Sequence, residues 1–411
     1  MKKQNLSEKN FEVEHVVSVL VEKNHYLLRQ AENYGKNLFL DSDVLLNFIK
    51  SSQPKEWVKL EEQYSADTEA KFLKRVSDEV ERRGVLDVLR NGIQDRGARF
   101  ELAYFKPISG LNPEHAELYA KNQFSVIRQF PYSSEGEQTI DVVLFLNGLP
   151  IITLELKNHF TGQDYTNAIR QYKFDRNPKE LFFKRVLVHF AIDNDKVFFT
   201  TKLEGEFTRF LPFNKDLDNP DDPRGFKSSY LYYDIWNPDS LLEIISHYLQ
   251  IEEKKDKKTG KILTKSLIFP RFHQLTAVRS IVENAKKVGT GKNYLVQHSA
   301  GSGKTYTISW LAHHLSQIHN TQNKKMFNSV IVVSDRKVID RQLRDAVKQF
   351  EKTVGVVLAA EHSRDLQQAL ESGKNIIVTT IQKFPFVVDQ IHKLTRATFA
   401  VIIDEAHSSQ S

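Results

Sequence analysis

Apolar residues recur at helical spacing near the start of the chain. Phe11, Val16, Val19 and Leu20 form one set, Leu45, Phe48 and Ile49 a second, and Phe72, Val76 and Val80 a third. Acids and lysines fill the positions between, so residues 1–95 read as helices that each bury one stripe. The pattern then changes. Residues 142–146 and 151–154 are apolar runs flanking Asn147-Gly148, the mark of a β-hairpin. Residues 167–174 read as a short helix, 186–192 and 197–200 as strands, and 212–228, rich in Pro, Asp, Asn and Gly, as a loop. From residue 294 strands and helices alternate. Strands are expected at 294–297, 329–334, 376–380 and 400–403, and helices from Lys304 and from Val338. Such alternation predicts a parallel sheet covered by helices on both faces.

Between the two patterns, residues 252–266 carry Lys254, Lys255, Lys257, Lys258, Lys261 and Lys265. They read as an exposed basic linker, with a DNA-contacting segment as the alternative. The expected organisation is therefore a helical part at 1–95, the core of the same domain at 96–250, a basic linker at 251–266, and a second α/β domain at 267–411.

Composition narrows the class. A chain of 411 residues holds two or three domains. Its 40% hydrophobic and 27% charged residues are those of an ordinary globular protein. No run approaches the ~20 apolar residues of a membrane helix. Residues 1–10 are polar and hold no secretory signal, so the expectation is a cytoplasmic protein with no membrane partner. Cysteine is absent, which excludes disulfides, thiolate zinc sites and cysteine nucleophiles together. The net charge of +6 tilts the chain mildly toward polyanions.

Two patterns carry chemistry. The first is Asp141 with Glu155-Leu156-Lys157. Strand side chains alternate, so Glu155 and Lys157 share a face. Asp141 and Glu155 are equidistant from Gly148. An odd-length loop centred there would set them directly across from each other, whereas a strict two-residue turn would put them on opposite faces. Pro150 cannot donate to the ladder, which favours the longer loop. Hard carboxylate oxygens from Asp141 and Glu155, with the Leu156 carbonyl, would hold Mg²⁺. Lys157 would orient the attacking water or neutralise developing charge. This is the residue set of phosphodiester hydrolysis.

The second pattern is Ala300-Gly301-Ser302-Gly303-Lys304-Thr305, followed by Asp404-Glu405-Ala406-His407. Glycines let backbone N–H groups wrap phosphates, and the helix N-terminus adds positive potential. Lys304 would reach the β- and γ-phosphates of ATP and Thr305 would ligate Mg²⁺. The pattern departs from the longer phosphate-loop form at its first position, which is His298. Residues 401–404 read as a buried strand ending in an acid. Asp404 would hold Mg²⁺ through water and Glu405 would polarise the attacking water. Gln274 lies ahead of the loop, where helicase-like motors read adenine. Ser334-Asp335-Arg336 and Thr379-Thr380-Ile381-Gln382-Lys383 follow strands and are either DNA-contacting loops or plain turns.

Together these stretches resemble the restriction (R, motor) subunit of type I restriction–modification enzymes. The resemblance runs from about residue 10 to the end. It includes Ala103-Tyr-Phe-Lys-Pro, Ser109-Gly-Leu-Asn-Pro, Asp141 with Glu155-Leu-Lys-Asn158, Ala168-Ile-Arg-Gln-Tyr172, Phe210-Leu-Pro-Phe-Asn214, Gln297 to Thr305, and Asp404-Glu-Ala-His-Ser-Ser-Gln410. The resemblance implies a PD-(D/E)xK-type nuclease domain with N-terminal helices, followed by one RecA-like helicase lobe with a parallel sheet. It implies Asp141, Glu155 and Lys157 as nuclease residues and Gln171 as a glutamine just downstream of them. The family's Gln-x-x-x-Tyr spacing is not met, because position 175 is Asp and the tyrosine is Tyr172. Glu12 or Glu14 is a further candidate acid, as in related nucleases.

The implied cofactors are Mg²⁺ and ATP. The implied partners are double-stranded DNA and the modification (methyltransferase) and specificity subunits. The parent enzyme would pump DNA and cut it at remote sites. R subunits are longer than this chain, whose second motor lobe is expected to be absent, so the isolated chain is expected to hydrolyse ATP poorly. A free-standing ATP-dependent nuclease–helicase of repair and a truncated, non-catalytic product that binds DNA or nucleotide are the rival readings.

Overall fold

The computed structural model describes residues 11–35, 37–107, 112–133, 136–256, 259–320, 322–334, 337–351, 355–386 and 397–405. It divides into two units, with the boundary between Phe269 and Pro270. The first is built on a seven-stranded sheet whose strands lie side by side in chain order. They are β1 (Leu27–Arg29), β2 (Phe124–Pro131), β3 (Thr139–Leu146), β4 (Leu149–Leu156), β5 (Val188–Ile192), β6 (Val197–Thr200) and β7 (Leu211–Pro212). β1 runs parallel to β2 and β4 parallel to β5, and the other neighbours are antiparallel. Every residue of β4 is buried, Thr153 and Glu155 included among its apolar neighbours.

Four helices follow the expected amphipathic pattern: α1 (Ser42–Ser52), α2 (Pro54–Tyr64), α3 (Thr68–Arg83) and α4 (Val85–Asn91). Asp41 caps α1 by accepting from the Val44 N–H, and Pro54 opens α2 where no donor is lost. Residues 1–95 are not helical throughout, however. β1 interrupts them and forms one edge of the sheet. With only three residues, and with Leu27 and Leu28 exposed, it has no periodicity to read. Its backbone pairing with β2 makes it a strand.

The β3–β4 turn also differs from the longer loop expected. Asn147 (φ +49°) and Gly148 (φ +82°) form a two-residue turn with both residues left-handed. Leu146 pairs with Leu149 and Phe145 with Pro150, but Leu144 pairs with Ile152. Ile151 is thus an extra residue, a bulge that shifts the register by one. Pro150 is accommodated beside this irregularity, so the turn stays short.

Residues 251–266, expected as a linker, form most of an antiparallel hairpin, β8 (Gln250–Lys255) with β9 (Ile262–Ile268). Opposite charges meet across it: Glu253 faces Lys265 in register, with Nζ 2.8 Å from Oε1. Cross-strand pairs of this kind support a ribbon that buries little apolar surface, with Ile251, Ile262 and Leu263 exposed.

The second unit carries a parallel sheet of β10 (Ser329–Ser334), β11 (Val357–Ala359), β12 (Ile376–Thr380) and β13 (Phe399–Ile403), in the order β11-β12-β10-β13. Ile331, Val333 and Ile377 pack with Leu366, Ala369 and Leu370 of the helix Ser363–Glu371. The opposite set, Val330, Val332 and Val378, is buried too, so both faces are covered. Two expectations fail here. Residues 294–297 are not a strand, and Tyr294, Leu295 and Val296 are exposed. β13 is not buried but an edge strand, with Val401 and Ile403 about half exposed. An apolar run signals a strand only where a neighbour pairs with it, and periodicity cannot supply the neighbour. No helix among the described residues is long and apolar enough to cross a membrane.

Candidate active sites

Three strands bring the acid cluster together. Arg128 pairs with Val142 and Phe130 with Ile140, which sets Gln129 beside Asp141. Val142 pairs with Leu154, which sets Asp141 beside Glu155. Gln129 leaves the ladder through a left-handed φ of +46°. Asp141 Oδ2 accepts from the Leu156 N–H at 2.8 Å. Glu155 is fully buried. Its Oε1 accepts from Arg176 Nε at 2.8 Å and lies 2.7 Å from Nη2, while Oε2 has no partner. Lys157 is buried one residue past β4, and its N–H donates to Ile192 O at 2.9 Å. Burial pushes the Glu155 carboxyl well above the usual range and Asp141 adds to this, while Arg176 and Lys157 pull it back.

Burial separates Glu12 from Glu14. Glu14 is exposed, whereas Glu12 is buried on the helical turn Phe11–Val17. Arg128 Nε donates to Glu12 Oε1, and Gln129 Nε2 lies 3.4 Å from Oε2. The Glu12 carboxyl is raised first by burial, against Arg128, and further by the charge of Asp141.

Gln171 opens the turn after helix α5 (Tyr165–Arg170), and its Oε1 is buried with no partner. Tyr172 belongs to the core beneath. Its hydroxyl is 2.8 Å from Thr153 Oγ1, which is 2.7 Å from His189 Nδ1. Burial lowers His189 to about 3, so that ring is neutral. Among the described residues no three acidic or histidine side chains close on one point. Mg²⁺ needs only one or two carboxylates, with water completing its shell. The unpartnered Glu155 Oε2, beside Asp141, fits such an ion.

The second candidate site is the glycine-rich loop. Gly301 (φ +73°) and Gly303 (φ +84°) turn it into the helix Lys304–Gln317, which begins with Lys304 and Thr305. The Ser302 hydroxyl is buried without a partner. Lys304 Nζ lies 3.3 Å from Glu405 Oε1. Asp404 sits just past β13, its N–H on Val333 O at 2.9 Å, and burial and Glu405 raise its carboxyl. Gln274 lies against the loop. Its Nε2 donates to Ser302 O and Gly303 O, both at 3.0 Å, and its Oε1 accepts from Arg271 N–H at 2.8 Å. A cavity of about 300 Å³ opens beside it, lined by Arg271, His273, Gln297, His298 and the residues from Ser299 through Ala300 to Ser302. Ser334 and Thr380 end their strands. Lys383 is tied back to Ala360 O at 2.6 Å. Ser109, Asp335, Arg336 and residues 406–411 lie outside the described residues.

Two family models match the chain in succession. Residues 45–207 match the type I restriction enzyme R protein N terminus, and residues 273–411 match the SWI2/SNF2 ATPase. The chain belongs with the type I restriction enzyme R subunits and matches their N-terminal portion. Named relatives agree. The type I restriction enzyme SauCOLORF180P endonuclease subunit of Staphylococcus aureus (strain COL) is 30% identical over 302 residues, 71% of this chain and 30% of the relative. The HindI endonuclease subunit of Haemophilus influenzae is 27% identical over 321 residues, 72% of this chain and 28% of the relative. The MjaVIIIP endonuclease subunit of Methanocaldococcus jannaschii is 23% identical over 382 residues, 85% of this chain and 35% of the relative. The chain thus spans about a third of the length of these relatives.

Within this R-subunit portion, the sequence pattern did not single out Arg176, Arg128 or Gln129. Arg176 stands in a polar stretch after a short helix, and no spacing rule links it to Glu155. Gln129 is displaced into the site by a backbone angle that no residue type announces.

Proposed function

We propose that the first unit is a PD-(D/E)xK-type nuclease that cuts double-stranded DNA with Mg²⁺, and that the second binds ATP for DNA translocation. The observation that carries this is the opposition of Asp141 and Glu155 across β3 and β4, with Glu155 Oε2 unpartnered. Asp141, Glu155 and the Leu156 carbonyl supply hard oxygen donors. Bound there, Mg²⁺ would polarise the scissile phosphate and lower the pKa of a water. Lys157 places positive charge where the pentavalent phosphate develops negative charge. Gln171 offers a buried acceptor on the turn whose backbone also holds Arg176. Glu12 adds a third acid on the Asp141 side.

In the second unit, the loop from Ala300 to Gly303 wraps the phosphates and Lys304 exchanges Glu405 for them. Thr305 and Asp404 would hold the Mg²⁺ of a bound nucleotide, and Glu405, once released, would polarise water. Gln274 supports the loop and adjoins the cavity that takes the base. The chain would work in the cytoplasm with modification and specificity subunits, the latter choosing the DNA target. The test is cleavage of plasmid DNA with Mg²⁺. Cutting that stops with a chelator and with Asp141→Ala supports the reading. Cutting indifferent to both excludes it.

A further inference from the structure

We propose that Arg176 is a positioning residue of the acid cluster, holding Glu155 by one carboxylate oxygen so that the other is presented to a divalent cation. The proposal rests on the metal-dependent reading above and adds a residue to it.

Arg176 Nε donates to Glu155 Oε1 at 2.8 Å, and Nη2 lies 2.7 Å from the same oxygen as an ion pair. An unconstrained guanidinium–carboxylate pair favours a fork, with one N–H on each oxygen. Here Oε2 is left buried with no donor. Leaving a buried carboxylate oxygen unpaired is costly. The cost is offset when that oxygen meets a cation, and Asp141 stands on the neighbouring strand to share it.

Arg176 is held in place from two sides. Its guanidinium lies over the Tyr132 ring, 5.5 Å from the centroid, and the Tyr132 hydroxyl bonds Gln138. Its N–H donates to Gln171 O at 3.1 Å, tying it to the turn after α5. Only 9% of the residue is exposed. At Glu12, Arg128 Nε likewise donates to Oε1, but there Gln129 Nε2 reaches the second oxygen at 3.4 Å. Each fully sequestered acid of the cluster thus has its own arginine.

The experiment is a calorimetric titration of the 411-residue chain with Mn²⁺ alone, using the unsubstituted protein and Asp141→Ala, Arg176→Ala and Arg176→Lys. Unfolding midpoints are measured alongside. The unsubstituted chain is expected to bind Mn²⁺ and Asp141→Ala to lose it. Arg176→Ala should weaken binding by about tenfold or more, the usual consequence of removing a residue that orients a ligand. Arg176→Lys restores the charge but cannot bring two nitrogens of a planar group to one oxygen, so it should recover only part of the loss. It also carries the test if Arg176→Ala does not fold. Arg176 variants that bind Mn²⁺ as tightly as the unsubstituted chain, or more tightly, overturn the proposal. Tighter binding would mean that the arginine competes with the cation. No Mn²⁺ binding by the unsubstituted chain, or binding indifferent to Asp141→Ala, overturns the metal-dependent reading itself and the proposal with it.

Discussion

Asp141 and Glu155 stand directly across from each other on adjacent strands, although the turn that joins those strands has only two residues. The extra residue Ile151 makes this possible. It restores a register that a two-residue turn alone would deny, and a one-residue slip would send Glu155 to the other face.

The geometry depends on Gly148. Its φ is +82°, and a Cβ there would lie 2.5 Å from Asp41 O and 2.8 Å from Leu45 Cβ. Gly97 has nearly the same φ, +84°, but a Cβ there meets nothing within 4 Å. Gly148→Ala should therefore cost more than about 2 kcal/mol, and Gly97→Ala about 1 kcal/mol from backbone strain alone. Urea unfolding of the two variants checks this, and equal losses would mean that the turn is not braced by α1.

Charge repulsion at the acid cluster should make metal-free stability pH-dependent. The carboxyls of Glu155 and Glu12 are both raised, first by burial and then by Asp141. A raised acid contributes stability that is fully present below its ordinary value, 4.5, and is lost as pH rises through the folded-state value. Asp141→Asn keeps an acceptor for the Leu156 N–H but removes the charge. With a chelator present it should raise the melting midpoint at pH 8 by roughly 2–4 °C. The gain should shrink on acidification and vanish below pH 4.5. Calorimetry across that range showing no gain, or a gain that grows toward acid, would count against the cluster.

In the second unit, Lys304 and Glu405 are paired at 3.3 Å, and both are partly exposed. Nucleotide must break that pair. Glu405→Gln frees the lysine and removes a charge from the phosphate site, so ATP affinity should rise severalfold. Lys304→Ala should lower it at least about tenfold, or ~1.4 kcal/mol. Titration with a fluorescent ATP analogue measures both. A fall in affinity in Glu405→Gln would mean that the glutamate helps to hold the nucleotide.

Much of this was legible in the sequence because the signals were local. Asn147-Gly148 between apolar runs gave the hairpin, and the glycine-rich run before Lys304 gave the loop-to-helix turn. What escaped was set by neighbours distant in the chain. β1 is a strand because β2 pairs with it, and residues 294–297 are not one because nothing described pairs with them. The opposition of Asp141 and Glu155 was foreseen for the wrong reason. A longer loop was expected, and a bulge does the work instead. Arg176 reaches Glu155 across 21 positions of sequence, a separation that no motif encodes.

The most direct test of the central claim separates cutting from movement. Asp141→Ala and Lys157→Ala are placed in the R subunit of the assembled enzyme, and DNA cleavage and ATP-driven translocation are followed side by side. Both variants should lose cleavage by at least about a hundredfold, as expected when charge stabilisation at the phosphate is removed, while translocation continues at its normal rate. Cleavage at the normal rate in either variant would contradict the assignment of the acid cluster as the nuclease centre.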